Sequence, residues 1–204
     1  MKAIARTVLV TTLATVLGAG VFWRGTDGFT AFTAEAARRA DILRSPRALP
    51  ATVLEDQDGR VFSLDDYRGR LLAVEFIYTR CTTICRSLGV AFKQLRDRLP
   101  PDALGRDVAL LSISFDPARD DPPSLKAYGR SHGADGEHWR IARVSDTAQL
   151  EALLAAFGIV VIADKFGEFE HNAAIHLVGR DGRLAEIADL DAPDRFADRL
   201  REAL

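Results

Sequence analysis

The sequence has few cysteines, little net charge and no repeats. Only two cysteines occur in 204 residues, too few for a small fold held together by disulfides. The formal net charge of −2 gives no sign of a nucleic-acid or polyanion partner, and no low-complexity tract is present. A chain of 204 residues, 48% of them apolar, is long and apolar enough to form one domain with a substantial core plus an appendage.

The N-terminus has the pattern of an export segment. Lys2 and Arg6 precede an uncharged stretch from Thr7 to Trp23, which reaches the lower length limit for crossing a bilayer. Positive charges stay cytoplasmic and Trp23 suits the interface, so we predict an uncleaved anchor in residues 1–24 in the inner membrane. A cleaved signal peptide is the alternative. Either way, the rest of the chain lies on the periplasmic, extracytoplasmic side, where a disulfide can persist.

Residues 25–49 have the composition of a linker. Ala34 to Leu43 is rich in Ala and Arg and predicts a short helix, which Pro46 and Pro50 close. The globular domain is therefore predicted to cover residues 50–204.

Within the domain, alternating strand and helix patterns predict an α/β sheet covered by helices on both faces. A late hairpin around Arg180-Asp181-Gly182 makes the sheet mixed. The predicted strands are Val53–Asp56, Arg60–Ser63, Leu71–Tyr78, Asp107–Phe115, Trp139–Val144, Gly158–Ile162, Ala174–Val178 and Arg183–Ala188. The predicted helices run from Cys81 or Thr82 to Leu99, and over Pro122–His132, Thr147–Phe157 and Pro193–Leu204.

The two cysteines, Cys81 and Cys85, follow a buried strand and open a helix in this prediction. Positions i and i+4 of a helix lie on one face, and their separation suits a disulfide or a shared soft metal ion. The helix N-terminus and the flanking Arg80 and Arg86 favour the thiolate. An inert or merely stabilising pair is the alternative to redox or metal chemistry.

Four histidines are candidates for a third metal ligand. His132 and His138 border a polar loop and are predicted to lie on the surface, whereas His176 lies inside an apolar strand, where a packed histidine is the default. His171 precedes that strand, after the loop Lys165–Glu170, and could reach the thiols. Spacing alone does not choose among the four.

Several motifs together resemble the Sco/SenC family of copper-handling proteins. Phe76–Cys85 (FIYTRCTTIC) resembles its strand and C-x-x-x-C motif, and Ser112–Asp120 (SISFDPARD) resembles its second strand and D-P-x-x-D turn. Leu125–Tyr128 and Phe157–Ile159 follow in order. His171–Gly182 (HNAAIHLVGRDG) resembles the family's liganding histidine, the following strand and a D-G turn.

The resemblance implies a thioredoxin-like fold and copper, Cu(I) or Cu(II), bound by Cys81, Cys85 and His171. It implies a membrane-anchored metallochaperone, not an enzyme, that supplies the binuclear copper site of cytochrome c oxidase subunit II or a similar acceptor. The alternative is a thiol–disulfide reductase of that subunit or another exported protein, in which Cys81 attacks and Cys85 resolves.

The chain also departs from the family's pattern. Thr82 and Arg86 stand where the family usually has proline, and Glu170 stands where it usually has aspartate. Asp116 matches a family aspartate near the site, although a turn or cap role explains it equally well. Glu75 is unusual in a buried strand, and we expect it to face a partner or to pair with an arginine.

Overall fold

The computed structural model describes residues 2–26, 28, 32–81, 84–165, 167–190 and 193–204, with the side chains of residues 2 and 84–86 left out. It divides into two units, Met1–Arg44 and Ser45–Leu204. The first contains helices α1 (Lys2–Gly25) and α2 (Ala34–Arg44). Within the described residues, Ala3–Gly25 is a single helix whose length and apolar composition would allow it to cross a membrane, a property that signal sequences share.

The second unit is built on a sheet of eight strands among the described residues, in the order β1-β10-β9-β4-β5-β6-β2-β3. These strands are β1 (Arg47–Ala48), β2 (Val53–Asp56), β3 (Val61–Ser63), β4 (Leu71–Ile77), β5 (Val108–Ser114), β6 (Trp139–Arg143), β9 (Ile175–Val178) and β10 (Arg183–Ala188). A separate hairpin joins β7 (Val161–Ala163) to β8 (Phe169–His171). The helices are α3 (Ile84–Arg98), α4 (Pro122–His132), α5 (Thr147–Phe157) and α6 (Pro193–Glu202).

The centre of the sheet is parallel and its margins are antiparallel. Strand β4 pairs in parallel with β5, and β5 with β6, while β9 joins β4 antiparallel. Every residue of β4 and β5 is buried, as expected for parallel strands covered on both sides. The carboxyl ends of β4 and β5 therefore meet at one edge of the sheet, where open α/β sheets bind their ligands.

Adjacent residues of β4 identify the two faces of the sheet. Phe76 contacts Phe157 of α5, with ring centroids 5.0 Å apart. Glu75 points the other way, because successive side chains of a strand alternate. It is hydrogen-bonded through Ser112 to Trp139, whose ring contacts Phe92 of α3. Helix α3 therefore covers one face and α5 the other, which confirms the predicted mixed α/β sheet.

Two local predictions differ from the structure. Helix α3 begins at Ile84, so Cys81 precedes it; Thr82 lies outside the described residues. The reason is a turn in which the Cys81 N–H donates to the Tyr78 carbonyl at 3.3 Å. Residues 158–160 are not part of a strand, and the predicted loop before His171 ends in β8, which pairs with β7.

Candidate metal centre

Cys81 lies just beyond the carboxyl end of β4, in the loop that leads into α3. The residue is buried, with 7% of its surface exposed. Cys85 lies in the first turn of α3, but its side chain is outside the described part of the structure. The predicted placement of both thiols on one helical face therefore does not hold for Cys81, because that residue belongs to the loop.

Asp120 fixes this loop from the end of β5. The fully buried carboxylate accepts hydrogen bonds from the Thr79 N–H at 3.0 Å and the Thr79 hydroxyl at 2.6 Å. It also accepts the Ser114 hydroxyl at 2.5 Å. Thr79 is two residues before Cys81, so Asp120 determines where the chain carrying the thiol leaves the sheet.

His171 is the last residue of β8, in the hairpin that lies outside the main sheet. It pairs with Val161 of β7. The neighbouring Asn172 donates from Nδ2 to the Gly158 carbonyl at 2.9 Å and accepts the Val160 N–H at 2.7 Å. These two bonds attach the base of the hairpin to the end of α5, which sets the position of the imidazole.

A cluster of aromatic rings connects His171 to the Cys81 loop. The His171 ring lies 5.0 Å from the Phe115 ring, and Phe115 lies 5.4 Å from Tyr78. Phe169 contacts both Tyr78 and Phe115, at 5.2 and 5.6 Å between centroids. Because the Tyr78 carbonyl also accepts the Cys81 N–H at 3.3 Å, His171 and the loop that carries Cys81 belong to one contiguous cluster.

The Tyr78 hydroxyl is the polar centre of this cluster. It donates to Glu168 Oε2 at 2.7 Å and accepts the Phe169 N–H at 3.4 Å. Both partners belong to the hairpin that ends in His171. This hydroxyl therefore attaches the hairpin that carries His171 to the end of β4, three residues before Cys81.

Arg119 provides a second attachment for the same hairpin. Its guanidinium donates to the Gly167 carbonyl at 3.1 Å and lies 5.1 Å from the centre of the Phe169 ring. The Nε–H donates to the Asp116 carboxylate at 2.6 Å. Asp116 also has a turn role, because its carbonyl accepts the Arg119 and Asp120 N–H groups. Both suggested roles of Asp116, in the turn and near the site, thus have structural support.

Burial shifts the pKa values of His171 and Tyr78 in this cluster. It lowers the pKa of His171, an effect that a backbone hydrogen bond at Asn172 partly opposes. The neutral imidazole is therefore favoured, and this is the form that binds metals. Burial raises the pKa of Tyr78, and hydrogen bonds with Glu168 and Cys81 raise it further. The tyrosine therefore stays a neutral donor.

A cavity of about 570 Å³ opens beside Cys81. Its wall includes Thr79 and Arg80 from the loop, and Ser124, Tyr128 and His132 from α4. His132, which the sequence predicts to lie on the surface, is half-buried and lines this open cavity together with Cys81.

The two remaining histidines, His176 and His138, make contacts away from this cavity. His176 is fully buried, with its ring 5.8 Å from Phe76 and 5.2 Å from Phe157, as expected for a packed core histidine. His138 forms a hydrogen bond between Nδ1 and Asp135 Oδ2 at 2.8 Å and is half-exposed. Neither residue lines the cavity.

The donors in this region have the chemistry of a soft-metal site. A thiol and a neutral imidazole lie in one cluster, and these groups suit copper. No group of three or more His, Cys, Asp or Glu side chains in metal-binding geometry occurs among the side chains that the structure describes, which do not include that of Cys85. The ligand set of Cys81, Cys85 and His171 therefore stays a prediction.

Sequence reasoning missed two residues and misjudged a third. The sequence pattern places Asp120 only in a turn motif, yet this residue anchors the thiol loop. The pattern places Tyr78 only in a strand, although its position three residues before the first cysteine is a usable signal. Glu75 is fully buried and accepts the Ser112 hydroxyl at 2.5 Å. Among the described residues no arginine is hydrogen-bonded to Glu75, whose second carboxyl oxygen has no partner, so the predicted arginine pair is wrong.

The protein is a thioredoxin-like α/β protein. Its mixed sheet carries the Cys81 loop at the carboxyl end of β4, and His171 lies in the hairpin beside it. The sequence profile of the family described as SCO1/SenC matches residues 48–204. A Stutzerimonas stutzeri protein named as copper-binding is 32% identical over 152 residues, covering 72% of this chain and 72% of its own length. The chain therefore belongs to the SCO1/SenC family.

Solved structures agree with this assignment. Bradyrhizobium japonicum ScoI with copper bound is 25% identical, with a TM-score of 0.64 over 77% of this chain and 99% of that one. BsSco, a member of the Sco family of cytochrome c oxidase assembly proteins, is 24% identical, with a TM-score of 0.67 over 78% and 94% of the two chains. The similarity to BsSco, at 24% identity, supports the fold alone.

Proposed function

We propose that this protein binds copper through the Cys81 and Cys85 sulfurs and the His171 imidazole. The observation that supports this most directly is the continuous contact from His171 through the Phe115 and Tyr78 rings to the backbone of Cys81. Burial favours the neutral imidazole, which is the form that a metal requires. Membership of a family with a copper-binding relative and a copper-bound structure supports the choice of metal.

The bound copper is cargo in this proposal, and its destination is the binuclear copper site of cytochrome c oxidase subunit II. A site with two sulfurs and one nitrogen leaves the ion accessible, so a thiolate of the acceptor can enter without displacing a complete shell. Helix α1 serves as the inner-membrane anchor, residues 25–49 serve as the linker, and residues 50–204 work on the periplasmic side. Such an anchor restricts the domain to the membrane surface where an oxidase subunit is assembled.

The test is a Cu(I) titration of the reduced protein against a chromophoric chelator. We expect Cys81→Ser, Cys85→Ser and His171→Ala each to lower the affinity by about a hundredfold, at the upper end of the losses seen when a ligand's supporting residues are removed. His138→Ala is the matched control, because His138 bonds to Asp135 away from the cluster. Unchanged affinity in both His171→Ala and Cys81→Ser contradicts the ligand assignment.

Thiol–disulfide reduction is the second candidate, and the open cavity beside Cys81 favours it because a substrate disulfide can approach there. The Cys81 thiolate attacks one sulfur of the substrate and releases the other as a thiolate. Cys85 then attacks the mixed disulfide, so the substrate leaves as a dithiol and the two cysteines are oxidised to a disulfide. No step requires His171.

One substitution separates the two activities. In a single-turnover assay, reduced His171→Ala is expected to reduce a model peptide disulfide at the rate of the unchanged protein, while its copper affinity falls. Cys85→Ser is the control, because it should stop at the mixed disulfide. Equal loss of copper binding and reduction in His171→Ala argues against independent activities.

A further inference from the structure

One ring nitrogen of His132 is held by hydrogen bonds, as it is in many histidines that bind metals. Its Nδ1 lies 3.0 Å from the Tyr128 carbonyl oxygen, and also 3.0 Å from the Ser131 hydroxyl oxygen. A carbonyl only accepts hydrogen bonds, so Nδ1 carries the proton in this contact and the neutral ring has its lone pair on Nε2. Histidines that bind metals almost always hold the other ring nitrogen in this way.

Two contacts fix the faces of the same ring. The Tyr128 ring lies 4.3 Å from it, tilted by 34°. A Cβ placed on Gly89 of α3 would lie 2.2, 2.5 and 2.7 Å from Cδ2, Nε2 and Cγ. Because these three adjacent atoms would be almost equally distant, Gly89 lies beneath the face of the ring and not at its edge. The absence of a side chain at Gly89 permits this close approach of α3 to the ring.

The ring so held forms part of the wall of the cavity that also contains Cys81. Cys81 thus belongs to two environments: the aromatic cluster that includes His171, and the cavity that includes His132. A thiolate and an imidazole are both ligands that suit copper. Hydroxyl groups of Thr79 and Ser124 line the same space, so the cavity is polar enough to admit a hydrated or chelated ion.

We propose that Cys81 and His132 Nε2 form a loading site for Cu(I), from which the ion passes to the site containing Cys85 and His171. This inference rests on the proposed copper-binding function and adds a residue to which neither the family resemblance nor the motif spacing points. Binding replaces the Cys81 thiol proton, which is released to solvent, and leaves the oxidation state of copper unchanged. Transfer then exchanges His132 for the His171 imidazole and the Cys85 thiolate, whose proton is also released to solvent, while Cys81 stays bound.

The loading site is isolated by removing the other ligands from the full-length protein in detergent. Reduced Cys85→Ser/His171→Ala protein is titrated with Cu(I) against a chromophoric chelator, with and without His132→Gln. We expect His132→Gln to lower the residual affinity at least tenfold, in line with the tenfold to hundredfold cost of lost metal-site contacts. His138→Gln in the same double variant is the matched control and should leave the residual Cu(I) affinity unchanged.

A second readout does not depend on the folding of a His132 variant. In Cys85→Ser/His171→Ala protein labelled with nitrogen-15 at histidine, Cu(I) should shift the Nε2 resonance of His132 and leave that of His138 in place. Equal affinity with and without His132→Gln, or an unmoved His132 resonance, overturns the proposal. If the unmutated protein binds Cu(I) and the double variant does not, the loading-site proposal is wrong and the proposed three-ligand site is retained. If neither protein binds Cu(I), both proposals are wrong.

Kinetics test the loading role itself. With all three predicted ligands present, His132→Gln is expected to slow Cu(I) uptake from the chelator about tenfold in stopped-flow measurements, because the first contact is lost. The equilibrium affinity should stay within about twofold, since His132 is not a ligand in the final site. An unchanged uptake rate refutes the loading role.

Discussion

Replacing Glu75 with glutamine is expected to abolish a large loss of stability that the unchanged protein shows as the pH rises. Burial raises the pKa of Glu75 from its ordinary 4.5 to about 8, and the Ser112 hydroxyl offsets only part of that effect. Among the described residues, the second carboxyl oxygen has no hydrogen-bond partner. The folded protein therefore keeps this carboxyl protonated at neutral pH.

The direction in which the free energy of unfolding changes with pH follows from the number of protons bound to the folded and unfolded chains. Between pH 4.5 and 8 the unfolded chain has lost the Glu75 proton and the folded chain retains it, so folding takes up a proton. The free energy of unfolding therefore falls as pH rises, by roughly 1.4 kcal/mol per pH unit and about 4–5 kcal/mol across the window. Below that window the contribution of Glu75 to stability is fully present, and glutamine, which does not titrate, removes this contribution to the pH dependence.

Urea denaturation at a series of pH values from 5 to about 8.5, followed by the fluorescence of buried Trp139, measures this difference. Glu151→Gln, on the exposed surface of α5, is the matched control and should follow the unchanged protein. His171 acts in the opposite direction, because burial lowers its pKa, but it is present in every variant and cancels in the comparison. Parallel pH profiles for Glu75→Gln and the unchanged protein contradict a protonated Glu75.

Apolar runs and capping residues in the sequence predict the strands and helices whose determining residues lie close together along the chain. The uninterrupted apolar run of β4 indicates a buried parallel strand, and the structure pairs it with β5. Helix α4 has the predicted bounds Pro122–His132, because Asp121 caps its start through the Ser124 N–H and Gly133 ends it in the left-handed conformation. These signals lie within a few residues of the features they determine, so sequence reasoning finds them.

Contacts between distant segments account for what the sequence did not reveal. The Cys81 loop leaves the helical path because Asp120, 41 residues after Thr79, holds it. Strand β8 forms where a loop was predicted, and the Tyr78–Glu168 bond that ties it to the core spans 90 residues. The position of His132 depends on Gly89, which comes from another helix. None of these pairings leaves a periodic pattern in the sequence.

Asp120→Ala is expected to cost about 4 kcal/mol of unfolding free energy, because each hydrogen bond to a buried charged group is worth roughly 1.5–3 kcal/mol and the orphaned donors stay buried. The carboxylate serves the Thr79 N–H, the Thr79 hydroxyl and the Ser114 hydroxyl. The Ser114 hydroxyl oxygen in turn accepts the Asp116 N–H at 3.0 Å, so the loss extends to the turn that orients Arg119.

The adjacent residue supplies the control. Asp121→Ala removes the carboxylate that caps the start of α4 by accepting the Ser124 N–H, so about 1 kcal/mol is expected. Urea denaturation of both variants at one pH measures the difference directly. Because Asp120 also positions the loop that carries Cys81, Asp120→Asn should weaken Cu(I) binding about tenfold, while Asp121→Ala should not. A cost for Asp120→Ala no larger than that for Asp121→Ala means that the thiol loop is held in place by other contacts.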